Sequence, residues 1–349
     1  MSNVQIFVAG AALVCVAAWG IRRHFRRPAN SSTDELGDKG DVAFKYPAIS
    51  PVAPTEPWDT PPLPYRPFRW GKTFNHVMGI KPMHWEDWIQ LDRDFQHFHD
   101  LKKKRVQERG DRVVRTLPGF EHMALETCSE IAIFMSKRYP HLVECEVDEQ
   151  GRASRIKLLT SDESWDMEKA DPMEVVGLLQ QDDIAIMAKG TSLAATFFQH
   201  LKVHKPVERS NYAFQSDDEL PWSVASFGPE DTFGATKAAG AARTISFVEG
   251  RNMYYRCERQ TLRRLPRTGC IVFTIRTYLH PIAEIAAEPG VPGRLAEAIR
   301  TWPEDVIQYK SGVKHYGESL LRYLDECHEA QIKAGVFDPT APEVSKYPF

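Results

Sequence analysis

The sequence lacks most of the short motifs that identify an enzyme class. It contains no GxSxG, GxGxxG or GxxxxGK stretch and no CxxC or CxxCH pair. His328 and Glu329 form only half of an HExxH motif, because Ile332 stands where the second histidine would be. The absence of these motifs argues against an elbow-type hydrolase, a Rossmann fold, a P-loop protein, a zinc protease and a thioether-linked heme.

An excess of positive charge is also lacking. Lys plus Arg number 44 against 47 Asp plus Glu, a net charge of −3, so nucleic acid is not an expected partner. The six cysteines have no dense spacing, and we interpret them as small buried hydrophobes in a reducing compartment rather than a disulfide framework. A content of 42% hydrophobic and 26% charged residues is typical of a globular protein.

An apolar run at the amino terminus predicts a membrane anchor. If residues 4–21 are helical, the helix is about 27 Å long, which is close to the thickness of the hydrocarbon core of a bilayer. The arginines that follow this run place the bulk of the chain on the cytoplasmic side of a single-pass transmembrane helix. A cleaved targeting peptide and an interfacial helix are the alternatives.

The composition divides the rest of the chain into three parts. Residues 22–67 are basic and then proline-rich, which predicts a stiff tether, or else a segment that docks on a partner's aromatic groove. Residues 68–334 carry the periodic apolar patterns of a folded domain. Residues 335–349 form a C-terminal tail.

Helical periodicity predicts two helices early in the domain. The first runs from Trp88 to Leu101 and ends in the basic run Lys102–Arg105, and the second runs from Phe120 to Arg138. Three histidines near the first helix lack metal-site spacing and are interpreted as surface residues: His84, His97 and His99.

Turn and capping signals predict further elements. Leu142–Val147 and Ile156–Leu159 alternate around a turn and predict a hairpin. Asp171 is the expected N-cap of a short helix that begins with Pro172. Two helical faces follow Pro292, and Gly335 is the expected stop of the last helix.

The segment from Tyr254 to Tyr278 carries most of the chemistry. Strand alternation places Arg256, Glu258 and Gln260 on one face of the first strand, and Arg276 on the polar face of the second. Such a cluster is either an internal ion-pair network that braces the sheet or an anion or cofactor contact made by arginines. Strand pairs adjacent in sequence, with flanking helices, predict an α+β fold.

Several blocks carry a resemblance to a known family. They are RPFRWGK (66–72), MGIKPMHWEDW (78–88), KRYP (137–140), RSNY (209–212), DDELPW (217–222) and RCERQTLRRLPRTGCIVFTIRTY (256–278). In these blocks the chain resembles the heme-dependent oxidative N-demethylase alpha-subunit-like family, especially its fungal-type members. The match spans most of residues 66–332, and its most specific part is the Arg-Cys-Glu-Arg-Gln-Thr-Leu block.

The resemblance implies a PAS-like antiparallel sheet with flanking helices that holds heme b. It implies O₂-dependent oxidative N-demethylation of a small amine, with electrons from a reductase partner. Arg256, Arg259 and Arg276 are then candidates for contacts to the heme propionates, or for bracing the sheet. Glu258 and Gln260 match the block without an assigned role.

The chain departs from the family pattern after Gln181–Asp183. The family continues with a substantial stretch that contains an Ile-His motif, whereas here Gly190 runs directly into 191–198. The resemblance implies that the missing stretch carries the histidine that ligates iron, and that His200 and His204 are poor substitutes. The alternative function is therefore a heme-less binding or structural relative.

Overall fold

A computed structural model describes residues 6–7, 45–62, 79–188, 200–224, 230, 249–310 and 313–340. The chain divides into two compact units. Unit 1 comprises residues 1–62, 80–208 and 260–275, and unit 2 comprises residues 63–79, 209–259 and 276–349.

The described residues form helices and strands of both units. The strands are β1 (Ile6–Phe7), β2 (Lys81–Pro82), β3 (Val143–Val147), β4 (Ala153–Leu158), β5 (Glu163–Asp166), β6 (Asp183–Met187), β7 (Val207–Gln215), β8 (Tyr254–Arg264) and β9 (Ile271–Pro281). The helices are α1 (Glu56–Asp59), α2 (Phe95–Arg109), α3 (Glu121–Arg138), α4 (Pro172–Leu178), α5 (Ile282–Ala287), α6 (Val291–Arg300), α7 (Glu304–Tyr309) and α8 (Val313–Lys333).

Antiparallel sheets and flanking helices confirm the predicted α+β class. The larger sheet has the strand order β1-β6-β9-β8-β7-β2, and the smaller one has the order β3-β4-β5. The predicted hairpin at 142–159 is the β3–β4 pair, in which Val143 faces Leu158. The second predicted hairpin is the neighbouring pair β8 and β9.

Local signals fixed several boundaries correctly. The Asp171 carboxylate accepts hydrogen bonds from the backbone N–H groups of Met173 and Glu174, as an N-cap should. Helix α3 has nearly the predicted limits, with Ile131 and Met135 in the core of unit 1. Helix α8 ends before Gly335, whose φ of +69° is the left-handed conformation that glycine adopts at a helix end.

The first predicted helix was wrong at its start. Helix α2 begins at Phe95 rather than Trp88, and it continues through the basic run to Arg109. Asp92 and Gln181 exchange two hydrogen bonds of 2.9 and 2.8 Å, one of them from the Asp92 backbone N–H, which hold the chain out of the helix at this point. Trp88 is fully buried in the core of unit 1 all the same.

Unit 2 has its own core of aromatic side chains and helices. The rings of Tyr212 and Phe214 contact each other and those of Tyr255 and Trp302, with centroids 5.6–6.2 Å apart. Helix α8 approaches Gly250 so closely that a Cβ there would lie 2.5 Å from a backbone oxygen of that helix. Only glycine therefore fits at this position.

The proline-rich segment is packed where the structure describes it. Within residues 45–62, Val52 is buried and its N–H donates to the carbonyl of Arg138 at 2.9 Å. The guanidinium of Arg138 in turn donates to the carbonyl of Ser50 at 2.8 Å. This part of the predicted tether belongs to unit 1 and contains one turn of helix, α1.

The transmembrane helix predicted over 4–21 lies almost wholly outside the described residues. Ile6 and Phe7 pair with β6 as a short antiparallel strand. No helix among the described residues combines the length and apolar character of a membrane span.

No disulfide joins the cysteines in the described part of the chain. Cys128, Cys257 and Cys270 are buried, while Cys145 and Cys327 are partly buried. Burial raises the pKa of Cys145 and Cys270 to about 11, which keeps both groups protonated at neutral pH.

Candidate functional site

Strands β8 and β9 are covered on both faces, so their charged side chains lie inside the protein. Arg256, Arg259 and Arg276 are 4%, 2% and 2% exposed, and Glu258 is 2% exposed. Buried charges need compensating partners, because the interior disfavours an isolated ion. The identity of these partners bears on the two alternatives from the sequence, an internal ion-pair network or a contact to an anion or cofactor.

Arg256 is bound by protein groups of unit 2. Its guanidinium donates to Gln215 Oε1 and to the carbonyl of Leu220, both at 3.4 Å, and to Thr277 Oγ1 at 3.3 Å. Its Nε lies 3.7 Å from Glu258 Oε1. Arg256 therefore takes part in an internal ion-pair network.

Glu258 supplies the negative charge of this network. Besides its ion pair with Arg256, it accepts a hydrogen bond of 3.4 Å from Asn211 Nδ2. Asn211 Oδ1 accepts in turn from Lys310 Nζ at 3.3 Å. A chain of polar contacts thus runs from Arg256 through Glu258 and Asn211 to Lys310, and we call these four residues the unit 2 polar cluster.

Lys310 is the residue of this cluster that the sequence did not indicate. Its Nζ donates to the backbone carbonyl of Tyr212. It lies 4.3 Å from the centroid of the Tyr212 ring and 5.0 Å from that of Trp302. Burial lowers the pKa of Lys310 to about 7, partly offset by the charge of Glu258 and reinforced by that of Arg209. A lone lysine at a helix end carries no signal of such burial.

The other two candidate arginines are also in contact with protein. The Arg276 guanidinium carbon lies 5.0 Å from the centroid of the Tyr278 ring. Arg259 is buried and makes at least one further polar or ring contact, as does Arg276. The structure therefore describes all three arginines as interior residues.

The fit of these residues to a heme can be tested on Arg256. A propionate accepts hydrogen bonds from a guanidinium, whose N–H groups must be free to face it. Those of Arg256 face neutral oxygens, and Glu258 already supplies a negative charge that would repel a propionate. These contacts favour the sheet-bracing role for Arg256, and a heme contact of Arg256, Arg259 or Arg276 remains a prediction.

The described histidines belong to no cluster that could hold a metal ion. Among the described residues, no group of three or more His, Cys, Asp or Glu side chains is arranged to do so. His200 and His204, the histidines nearest to the missing stretch, are both exposed. His84 and His97 are exposed as predicted.

The prediction of a surface position was wrong for His99. This ring is 2% exposed, with Nδ1 3.1 Å from the carbonyl of Leu178 and Nε2 2.8 Å from Glu163 Oε2. Glu163 is also bound by Lys103 at 2.5 Å. The helical pattern missed this burial because both partners come from distant segments.

Unit 1 has a second charged cluster, formed by the same sequence block. The Arg263 guanidinium lies 4.9, 4.9 and 4.2 Å from the ring centroids of Tyr46, Trp85 and Trp88. One of its nitrogens is 2.7 Å from Glu130 Oε2. We call these five residues the arginine–aromatic cluster. No pattern in the sequence indicated that Tyr46, from the proline-rich segment, would belong to it.

A carboxylate from α3 also holds the turn between β8 and β9. Glu126 accepts hydrogen bonds of 2.8 Å from the backbone N–H groups of both Arg267 and Thr268. Glu126 is 5% exposed, so these bonds satisfy a buried charge. Charged residues of the block and of the turn that follows it are thus used to hold the structure together in both clusters and at this turn.

A comparison with protein families matches the chain in two stretches, residues 79–196 and 191–321. The matching family is described as "Haem-dependent oxidative N-demethylase, alpha subunit-like". The two stretches together cover both charged clusters except Tyr46. On this match, the chain belongs to the heme-dependent oxidative N-demethylase alpha-subunit-like family.

Proposed function

We propose that the chain is an oxidoreductase that uses heme b and O₂ to remove a methyl group from a small amine. The single observation that carries this proposal is the family match over residues 79–321. An electron donor is required for such chemistry, and a reductase is the proposed partner. The heme would supply the oxygen chemistry, and the protein would supply its ligand and a shaped pocket. The antiparallel larger sheet with flanking helices supports the PAS-like architecture that the resemblance implies.

A second candidate function is that of a heme-less binding or structural relative. Two observations favour it: Arg256 is committed to Glu258 and to neutral protein oxygens, and the family match breaks into two stretches that overlap at residues 191–196. Such a break is expected if a family segment is absent at this point.

Heme content separates the two candidates. The full chain, expressed with δ-aminolevulinate and purified in detergent, is expected to show a Soret band equivalent to about one heme per chain if it is the oxidoreductase. It should also consume O₂ when given dimethylammonium and a reductant. A folded protein with no Soret band after reconstitution with hemin would refute the oxidoreductase and leave the heme-less relative.

If heme binds, a double variant tests whether His200 or His204 ligates the iron. Replacement of both exposed histidines by alanine is expected to leave the Soret band unchanged, since both are expected to be poor substitutes for the family's histidine. Loss of the band in this variant would contradict that expectation.

We further propose that residues 4–21 anchor the protein in a membrane, with the bulk of the chain on the cytoplasmic side. The apolar run and the arginines behind it support this proposal. The pairing of Ile6 and Phe7 with β6 speaks against it, because residues paired in the sheet cannot also lie in a membrane-spanning helix. Deletion of residues 1–27 is expected to release the protein from membranes in a carbonate extraction, whereas deletion of residues 341–349 should leave it in the pellet. A 1–27 deletion that still sediments with membranes would contradict the single anchor.

A further inference from the structure

Residues 45–52 are held against unit 1 at both of their ends, and we call them the strap. At one end, Tyr46 belongs to the arginine–aromatic cluster, and its ring meets the Trp85 ring edge-on, with centroids 5.8 Å apart. At the other end, Val52 is buried and its N–H donates to the carbonyl of Arg138 at 2.9 Å. What happens between these two anchors therefore decides whether the strap stays in place.

The strap contains an exposed serine followed by proline, at Ser50 and Pro51. Proline-directed protein kinases phosphorylate a serine or threonine that stands directly before a proline. Thr60 is the other residue of the whole sequence that meets this requirement. Thr60 is only partly exposed, and its carbonyl is bound by the Arg93 N–H at 3.0 Å. Ser50 is therefore the more accessible of the two.

Ser50 lies between a carboxylate and a guanidinium. Its N–H donates to Glu86 Oε1 at 2.9 Å, and its hydroxyl also hydrogen-bonds this carboxylate. These hydrogen bonds hold the pKa of Glu86 below its usual value, so the carboxylate is ionised at neutral pH. The Arg138 guanidinium donates to the Ser50 carbonyl at 2.8 Å and lies 3.8 Å from Glu86 Oε2. These two charges balance each other while Ser50 is neutral.

We propose that Ser50 is phosphorylated by a proline-directed kinase and that the phosphate releases the strap from unit 1. The kinase transfers the γ-phosphoryl group of ATP, so that a bond forms between Ser50 Oγ and the γ-phosphorus. The bond from that phosphorus to the bridging oxygen breaks, ADP leaves, and the hydroxyl proton passes to the catalytic base of the kinase. This inference goes beyond the proposed function, because it involves neither heme nor turnover.

The phosphate upsets the balance of charge next to Glu86. It carries a charge of about −1.5 to −2 at pH 7, and it replaces the hydroxyl that donated to the carboxylate. The single guanidinium of Arg138 then faces two anions, which repel each other. This repulsion acts on the hydrogen bond from Ser50 to Glu86, which joins the middle of the strap to unit 1. The released strap is thereby favoured.

The reaction itself also requires an open strap. A kinase binds its substrate as an exposed, extended segment, whereas Val52 belongs to the core of unit 1 and Ile49 packs against that core. The strap therefore opens locally before Ser50 enters the active site of a kinase. The phosphate then opposes its return, so that modification shifts the population from the closed to the open strap.

Incorporation of phosphate tests the site. The purified full chain is incubated with ATP and, in separate reactions, with a mitogen-activated and a cyclin-dependent kinase, and the phosphorylated position is read by peptide mass spectrometry. We expect incorporation at Ser50, loss of this incorporation in Ser50→Ala, and its retention in Thr60→Ala. The proposal is overturned if neither kinase modifies Ser50 in the folded chain, or if Thr60 is modified in its place.

Hydrogen exchange tests the release of the strap. The Val52 amide, which is bonded to the carbonyl of Arg138, is expected to exchange about tenfold faster in the phosphorylated chain than in the unmodified one. Glu86→Gln keeps an acceptor for Ser50 but removes the charge, so phosphorylation of this variant should accelerate the same amide by less than about threefold. Equal exchange rates of Val52 before and after phosphorylation of Ser50 overturn the release, as does an equal acceleration in Glu86→Gln.

Discussion

Replacement of Arg263 by alanine is expected to lower the free energy of unfolding of unit 1 by about 3–5 kcal/mol, the range for breaking a buried ion pair. The substitution removes the partner of Glu130, at 2.7 Å, and leaves that carboxylate partly buried. It also removes the cation from between Tyr46, Trp85 and Trp88. The loss should be measured by urea denaturation, with hydrogen exchange of the amides in α3 as a local probe.

A matched control separates charge from position in this experiment. Arg155 lies in β4 of the same unit and is exposed, so Arg155→Ala is expected to change stability by less than about 0.5 kcal/mol. Arg263→Lys keeps the charge but loses the planar guanidinium group. Its loss of stability should therefore lie between those of Arg263→Ala and Arg155→Ala. If Arg263→Ala and Arg155→Ala lost equal stability, the arginine–aromatic cluster would have no stabilising role.

The stability of unit 2 is expected to rise with pH between about 7 and 10.5. Burial lowers the pKa of Lys310 to about 7 from a usual value of 10.5. In this window the unfolded chain binds a proton at Lys310 that the folded chain has released, so deprotonation favours the folded state. The contribution of Lys310 to the slope of the free energy of unfolding against pH approaches about 1.4 kcal/mol per pH unit. It vanishes below pH 7, where Lys310 is protonated in both the folded and the unfolded state.

Lys310→Met is expected to remove this slope. The comparison uses urea unfolding from pH 6.5 to 9.5, and only the difference between chains is interpreted, because other groups titrate in the same range. Lys333→Met, at the exposed end of α8, deletes the same charge and should keep the slope of the unaltered chain. A Lys310→Met chain with an undiminished slope would contradict the assignment of the titration to Lys310.

Elements set by local sequence were predictable, and contacts between distant segments were not. The Asp171 cap, helix α3 and the two hairpins follow from residues within a few positions of one another. The start of α2 depends on Gln181, 89 residues away from Asp92, which no periodicity encodes.

The same distinction explains the candidate site. Alternation correctly grouped Arg256 with Glu258, because strand neighbours two positions apart share a face. It could not show that Asn211 and Lys310 complete that cluster, since 99 residues separate them along the chain. The burial of His99 was missed for the same reason: its partner Glu163 belongs to another element.

The division of unit 1 into separate stretches of chain has a consequence for its synthesis. Strand β6 pairs with β9 through Ile271–Ile275, and Glu126 binds the amides of Arg267 and Thr268. The ribosome synthesises residues 209–259, which belong to unit 2, before it synthesises residues 260–275, which complete unit 1. A nascent chain that stops short of residue 271 therefore leaves unpaired the edge of β6 that pairs with β9, and unpaired strand edges are prone to aggregation.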